Sequence, residues 1–283
     1  MGVTTSQKTT VDDIIAVVEQ IAPLDLAEQW DNCGLQVGSR SQQVKKVWVA
    51  LDPLLPVVDA AADQGIDLII THHPLLFRSV KSIDLESAIG KVIAIAVEHH
   101  IALYAAHTNL DSAHHGINTR LADLMGLSGL EPLIPADIDS QYALDHVEAT
   151  QTGLGRIGWL DPPQTVDELV EQIKRCLSLA RVKIAGDTHL KVRRAAVCSG
   201  AGSSLMEAFL SSDAQVYISG DLRYHDARAV EEAGRALIDV GHFASEQIVI
   251  DSLVERLRQA AKNAKWGVSI EPCRLEQDPF TIV

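Results

Sequence analysis

Apolar residues along the chain fall into two rhythms. Short runs rich in Val, Ile, Leu and Ala predict β-strands over 47–51, 68–71, 101–106, 156–160, 181–185, 195–198, 216–219 and 237–240. Between them, hydrophobic positions return every three or four residues, which predicts amphipathic helices over 11–21, 86–97, 117–125, 166–177, 204–210 and 226–235. Thr165 and Glu168 have the spacing of a capping box, in which each side chain satisfies an amide at the start of a helix. A longer helix, 245–263, carries Ile248, Ile250, Leu253, Val254 and Leu257 on an apolar face. Strands alternating with helices predict an α/β protein whose sheets are largely covered by helices.

The stretch GLSGLEPLIPADIDS (126–140) interrupts both rhythms with Gly and Pro, and it predicts a passage from one domain to the next. With 283 residues the chain has room for one large domain or two of ordinary size.

Charge narrows the partners. Asp and Glu number 38 against 24 Lys and Arg, a net charge of −14, and no basic cluster interrupts the excess. Sequence-independent nucleic-acid binding is therefore not expected, because nothing neutralises phosphates in number. Cys33, Cys176, Cys198 and Cys273 lie far apart without a Cys-x-x-Cys pair, which points away from a disulfide framework and toward a reducing compartment. The first ten residues, MGVTTSQKTT, lack an apolar core for a signal peptide, although Gly2 to Ser6 satisfy the myristoylation pattern. The apolar stretch 92–106 is broken by Glu98, His99 and His100, so no bilayer span is expected and the location read from the sequence is cytoplasmic.

Candidate chemistry gathers where strands end. THHPLLF (71–77) places His72 and His73 just past an apolar run, with Pro74 forbidding helical continuation. HTNLD (107–111) repeats the device with His107 and Asp111, and GHFASE (241–246) spaces His242 and Glu246 by four. If a helix begins near His242, that spacing puts both side chains on one face, within reach of a common ion. Paired divalent ions typically need a bridging carboxylate with terminal His and Asp ligands, and a mixed N/O set suits zinc, iron, manganese, cobalt or nickel. His99 and His100 suit a helix C-terminus, where cations are favoured. His114 and His115 suit an exposed turn, and His146 and His189 suit a surface or polar-core place.

WDNCGLQVG (30–38), THHPLLF, HTNLD, YISGDLRYHDA (217–227) and VGHFASE (240–246) together resemble the signature blocks of the GTP cyclohydrolase I type 2 homologues, or NGG-interacting-factor-three-like proteins. The blocks run in family order over nearly the whole chain. The resemblance implies two interlinked α/β domains, here 1–126 with 241–283 as the metal-binding domain and 127–240 as the second. It implies a homohexameric toroid with two divalent ions per subunit (zinc, iron or manganese). His72 and His73 would each bind one ion, Asp111 would be a terminal ligand, His242 would ligate through its imidazole and Glu246 would bridge. The length matches the compact form of the family, without the extra domain that some relatives insert mid-chain.

A bridged ion pair lowers the pKa of water from about 15.7 to ~7, so the implied chemistry is hydrolytic. For the named activity, hydroxide attacks C8 of guanine and formate leaves. His107 is the first candidate for the acid that this requires, and His225 in GDLRYH, oriented by Asp221, is the second. Arg78, Lys81 and Arg223 are cations available to a triphosphate. CSGAGSS (198–204) is either an anion cradle at a helix start or a plain tight turn, and Asp31 and Asn32 either line the metal cavity or close their own loop. Two other readings compete with a cyclohydrolase. One is a metal-dependent phosphoesterase or other nucleotide hydrolase. The other is a metal-binding regulatory or adaptor ring without catalysis.

Overall fold

The computed structural model describes residues 8–137 and 151–281. The Gly2–Ser6 pattern, His146 and the end of the 126–140 segment lie outside the described residues. The protein is α/β, with two sheets covered by helices. Contacts divide it into two compact units, one comprising Met1–Leu110 and Ile250–Gln277, the other Asp111–Val249 and Asp278–Val283.

The first unit is built on a five-stranded sheet. Its strands are β1 (Gly34–Val37), β2 (Lys46–Ala50), β3 (Leu68–Thr71), β4 (Ala102–Ala105) and β11 (Ser269–Pro272), in the order β1-β4-β3-β2-β11. All neighbours are parallel except β1, which runs antiparallel along the β4 edge. The helices are α1 (Val11–Ile21), α2 (Leu55–Gln64) and α3 (Ala88–Glu98). Every residue of LIIT in β3 and ALYA in β4 is buried, as expected of strands covered on both faces. Trp48, Val58, Ala61, Ile69, Val92 and Leu103 belong to one core cluster between sheet and helices. Helix α1 starts at a capping box in which Thr10 and Asp13 satisfy each other's amides, and α2 ends at Gly65 in the left-handed region (φ 64°).

The register of this sheet decides where chemistry goes. Ala50 pairs with Thr71 and Thr71 with Ala105, so three adjacent parallel strands end level with one another. Asp52, His72, His73 and His107 therefore leave the sheet at one carboxyl edge, the place where open α/β sheets bind ligands. Gly34 pairs with Ala105, which brings the residues just before β1, Asp31 among them, to the same edge.

The second unit is built on a six-stranded sheet, β5-β6-β8-β9-β10-β7. Its strands are β5 (Ser128–Pro135), β6 (Gly153–Thr165), β7 (Lys183–Ala185), β8 (Lys191–Ala201), β9 (Val216–Gly220) and β10 (Ala236–Asp239). Strands β8, β9 and β10 are parallel, while β5, β6 and β7 pair antiparallel. Helix α5 (Ile117–Leu124) contributes Leu121 and Ala122, and α6 (Val166–Cys176) contributes Val166, Leu169, Val170 and Ile173, to a core shared with Val197, Val216 and Ile238. The opposite face is covered by α7 (Met206–Ser211) and α8 (Tyr224–Glu232), with Phe209 stacked on Tyr217 at 5.1 Å. The short helices α4 (Thr108–Ser112) and α9 (His242–Glu246) and the long α10 (Ile248–Ala264) complete the chain.

Several elements depart from the sequence expectation. Residues 128–135 form the edge strand β5, not an irregular passage. Its two prolines and its glycine hid the strand, yet an edge tolerates proline because one side of the ladder stays unpaired. The helix expected over 245–263 begins at Ile248 as α10, while Ser245 and Glu246 belong to the separate short helix α9. Strands β1 and β11 and helix α2 were not marked by their sequence. Among the described residues, no helix is long and apolar enough to cross a membrane.

Candidate metal centre

In the first unit, His72, His73 and His107 form one cluster. Their rings lie 5.0–5.5 Å apart between centroids, and each offers a ligand atom within 4.8 Å of the others. Each ring is held through Nδ1 by an oxygen acceptor. His72, only 2% exposed, meets the Ala106 carbonyl at 3.0 Å. His73 Nδ1 meets Asp52 Oδ1 at 2.9 Å, and its backbone is fixed by the Thr71 hydroxyl, which donates to the His73 carbonyl at 2.7 Å. His107 Nδ1 meets both carboxylate oxygens of Asp31, at 2.9 and 3.0 Å.

Asp31 is the hub of its loop. Besides His107, its carboxylate accepts from the Thr108 amide and hydroxyl, from the Asn32 amide and from the Cys33 thiol. Burial opposes the charge, but the hydrogen bonds from His107, Thr108 and Cys33 outweigh it and hold the carboxyl well below the usual range. The Asn32 side-chain amide donates to the Leu76 carbonyl at 2.8 Å and ties this loop to the one after the histidine pair. Trp30 and Phe77 both stand edge-on to the His107 ring. Arg78 and Lys81 are exposed.

In the second unit, α9 begins at His242, as the spacing required, and His242 Nε2 lies 3.0 Å from Glu246 Oε2 one turn on. His242 Nδ1 meets Asp221 Oδ2 at 2.9 Å, so Asp221 orients His242, where the sequence had paired it with His225. His225 sits exposed in the first turn of α8, edge-on to Tyr224. Asp111 accepts from the Ser199 hydroxyl at 3.2 Å, and Asn118 bridges the Asp111 carbonyl and the Ser199 amide. Glu246 is 3% exposed and packs against Gly200, whose φ is +63°. A Cβ at Gly200 would overlap Glu246 Oε1 and lie 3.4 Å from His242 Nε2. The CSGAGSS turn thus supplies the floor under the Glu246 carboxylate, while its Ser203 hydroxyl donates to Asp226 at 2.5 Å.

The three histidines of the first unit share one tautomer. A carbonyl cannot donate, so His72 carries its proton on Nδ1, and the carboxylates impose the same on neutral His73 and His107. Nε2 is then the lone-pair nitrogen in those three, whereas His242 meets a carboxylate at each nitrogen, Asp221 at Nδ1 and Glu246 at Nε2. Metal-binding imidazoles are prepared in this way, with an outer acceptor fixing the ring and raising its basicity. Imidazole nitrogen with carboxylate oxygen, set against a glycine that leaves the room a side chain would fill, fits a divalent transition metal. The residue that motif reading left undecided, Asp31, could have been found by its place beside Trp30 just before an edge strand, but only the register shows that it faces His107.

Known proteins resemble the chain over nearly its full length. A GTP cyclohydrolase 1 type 2 homolog from Clostridium perfringens is 32% identical over 274 residues, covering 96% of this chain and 99% of that protein. Another of the same name, from Methanocaldococcus jannaschii, is 35% identical over 83% of this chain and 88% of its own length. Among solved structures, a Bacillus cereus protein related to NIF3 superposes with a TM-score of 0.89 at 26% identity, covering 98% of this chain and all of that one. Reduced HcgD from M. jannaschii gives 0.78 at 31% identity, over 95% and 99% of the two chains. The family model for Duf34/NIF3 (NGG1p interacting factor 3) matches residues 9–279, and the chain belongs to that family.

Proposed function

We propose that the protein is a divalent-metal-dependent hydrolase acting on a nucleotide, with His72, His73, Asp111, His242 and Glu246 holding two ions per subunit. The observation that supports this reading is that His72, His73 and His242 are each held through Nδ1 by an oxygen, which leaves Nε2 as the atom that would meet an ion. Glu246, buried beside His242, would supply the carboxylate that holds the ions. When bound, the ions supply hydroxide at neutral pH by lowering the pKa of water.

The chain's own residues do the rest. Asp31 holds the Nδ1 proton of His107, so proton exchange with substrate occurs at His107 Nε2. His225 is the alternative donor, on an exposed helix start. Arg78, Lys81 and Arg223 are the cations available to a phosphate chain. The relatives' name supports GTP as the first substrate to test, with formate as product, and other nucleotide phosphoesters as the next. The resemblance supports a hexamer, for which light scattering at micromolar concentration is the direct check.

The test has two parts. Elemental analysis should find divalent metal in the wild type and much less in Glu246→Ala; undiminished metal in that variant overturns the ligand set. Metal-loaded protein is then incubated with a nucleotide panel and the products are resolved by mass spectrometry. Turnover of none of them by fully loaded protein overturns the hydrolase and leaves a metal-binding ring.

A further inference from the structure

The segment after β11 does more than finish the sheet. Cys273, 3% exposed, continues the ladder by donating its amide to the Val49 carbonyl at 2.7 Å. Three residues later the chain presents Glu276 to the residues just past β2. Its carboxylate spans two consecutive amides, with Oε2 accepting from Leu51 N at 2.8 Å and Oε1 from Asp52 N at 2.6 Å.

Leu51 and Asp52 are the two residues that hold His73. The His73 amide donates to the Leu51 carbonyl at 2.8 Å, and the His73 ring donates through Nδ1 to Asp52 Oδ1 at 2.9 Å. A single carboxylate, 203 residues away in sequence from His73 (276 − 73), therefore fixes both the peptide and the side chain that set this imidazole. Hydrogen bonds to an ionised acceptor are roughly twice as strong as neutral ones, so this clamp is stiffer than a backbone turn alone.

We propose that Glu276 is a positioning residue for His73: by clamping the Leu51 and Asp52 amides it fixes Asp52 as the acceptor that sets the His73 tautomer and ring orientation. Its consequence for metal affinity rests on the reading of His73 as a ligand; its consequence for the imidazole does not. A carboxylate that merely finished the strand end would change stability without changing His73.

Glu276→Gln is the discriminating variant. It keeps the shape of the side chain but turns an amide group toward one of the two N–H donors, so one clamp bond is lost. Glu271→Gln, on the same segment but exposed, is the control. Long-range ¹⁵N–¹H correlation spectra of the metal-free full chain report each imidazole tautomer. His73 is expected to be a single Nδ1–H form in the wild type and the control and a mixture in E276Q, with His107 unchanged. Calorimetric titration with Zn²⁺ or Mn²⁺ should show affinity weakened by about 10–100-fold in E276Q, the range typical of outer-shell losses. Should E276Q be too unstable to measure, Glu276→Asp keeps the charge, shortens the reach and gives the same change in smaller measure. A wild-type His73 spectrum in the folded variants overturns the proposal, whatever the metal does. Altered His73 in a protein whose wild type binds no metal supports the positioning role and overturns the ligand reading instead.

Discussion

Gly200→Ala tests the floor of the candidate site. Two penalties apply, and a second glycine separates them. The first is conformational: Gly200 has φ +63°, and an L-residue there costs about 1–2 kcal/mol, offset by about 0.4–1 kcal/mol from the stiffer unfolded chain. Gly234, with φ +65° and nothing within 4 Å of an added Cβ, bears that penalty alone. The second is steric. The new methyl overlaps Glu246 Oε1 and lies 3.2 Å from its Cδ, so the carboxylate must turn away from His242 Nε2, now 3.0 Å from Oε2. Glu246 is 3% exposed, and forcing an extra methyl into a filled interior costs about 1–3 kcal/mol. G200A should therefore be less stable than G234A by about 2 kcal/mol, or roughly 4–8 °C in melting temperature for a unit of this size. Scanning calorimetry of the chelated proteins measures the difference, and elemental analysis after reloading measures the ligand. G234A should keep its metal and G200A should lose most of it. Equal melting temperatures and equal metal would refute the claim that Gly200 makes room for Glu246.

Other outcomes follow from the same geometry. Arg156, 1% exposed, donates to the carbonyls of Ala113, Gly153 and Gly155 and to Thr119, so Arg156→Met should lower stability in urea by about 3–5 kcal/mol; a loss under 1 kcal/mol contradicts that role. Native alkylation at pH 8 followed by peptide mass mapping should modify exposed Cys176 first and spare Cys198, whose thiol burial pushes up to about 12. Rapid labelling of Cys198 would mean that its strand opens readily. His107→Asn should keep metal while lowering turnover by about 10²–10⁴-fold, whereas Asp111→Asn should lose metal and activity together. Metal loss in His107→Asn would make His107 a ligand.

The relation between chain and fold differs from element to element. Helix α1 was legible to the residue, because Thr10 and Asp13 cap it and Val11, Ile14, Ile15 and Val18 recur on one face. So was β3, and β9 was found to within one residue; both runs are buried throughout. β5 was not, since a strand at a sheet edge tolerates the prolines that read as breakers in isolation. Short β1 and β11 owe their conformation to partners remote in sequence, Ala105 and Val49 among them, and carry little signal of their own.

The site divides along the same line. Residue types and strand ends nominated the histidines and carboxylates, and the spacing of four joined His242 to Glu246, because those signals are local. Which acceptor holds which imidazole depends on register and on loops that meet only after folding. Asp31 reaches His107, Asp221 reaches His242 instead of His225, and Gly200 makes room for Glu246. Glu276 reaches the Asp52 amide across 224 residues. Periodicity is a property of neighbours along the chain and chooses the elements. A hydrogen bond is a property of neighbours in space, and only the packed sheets decide those.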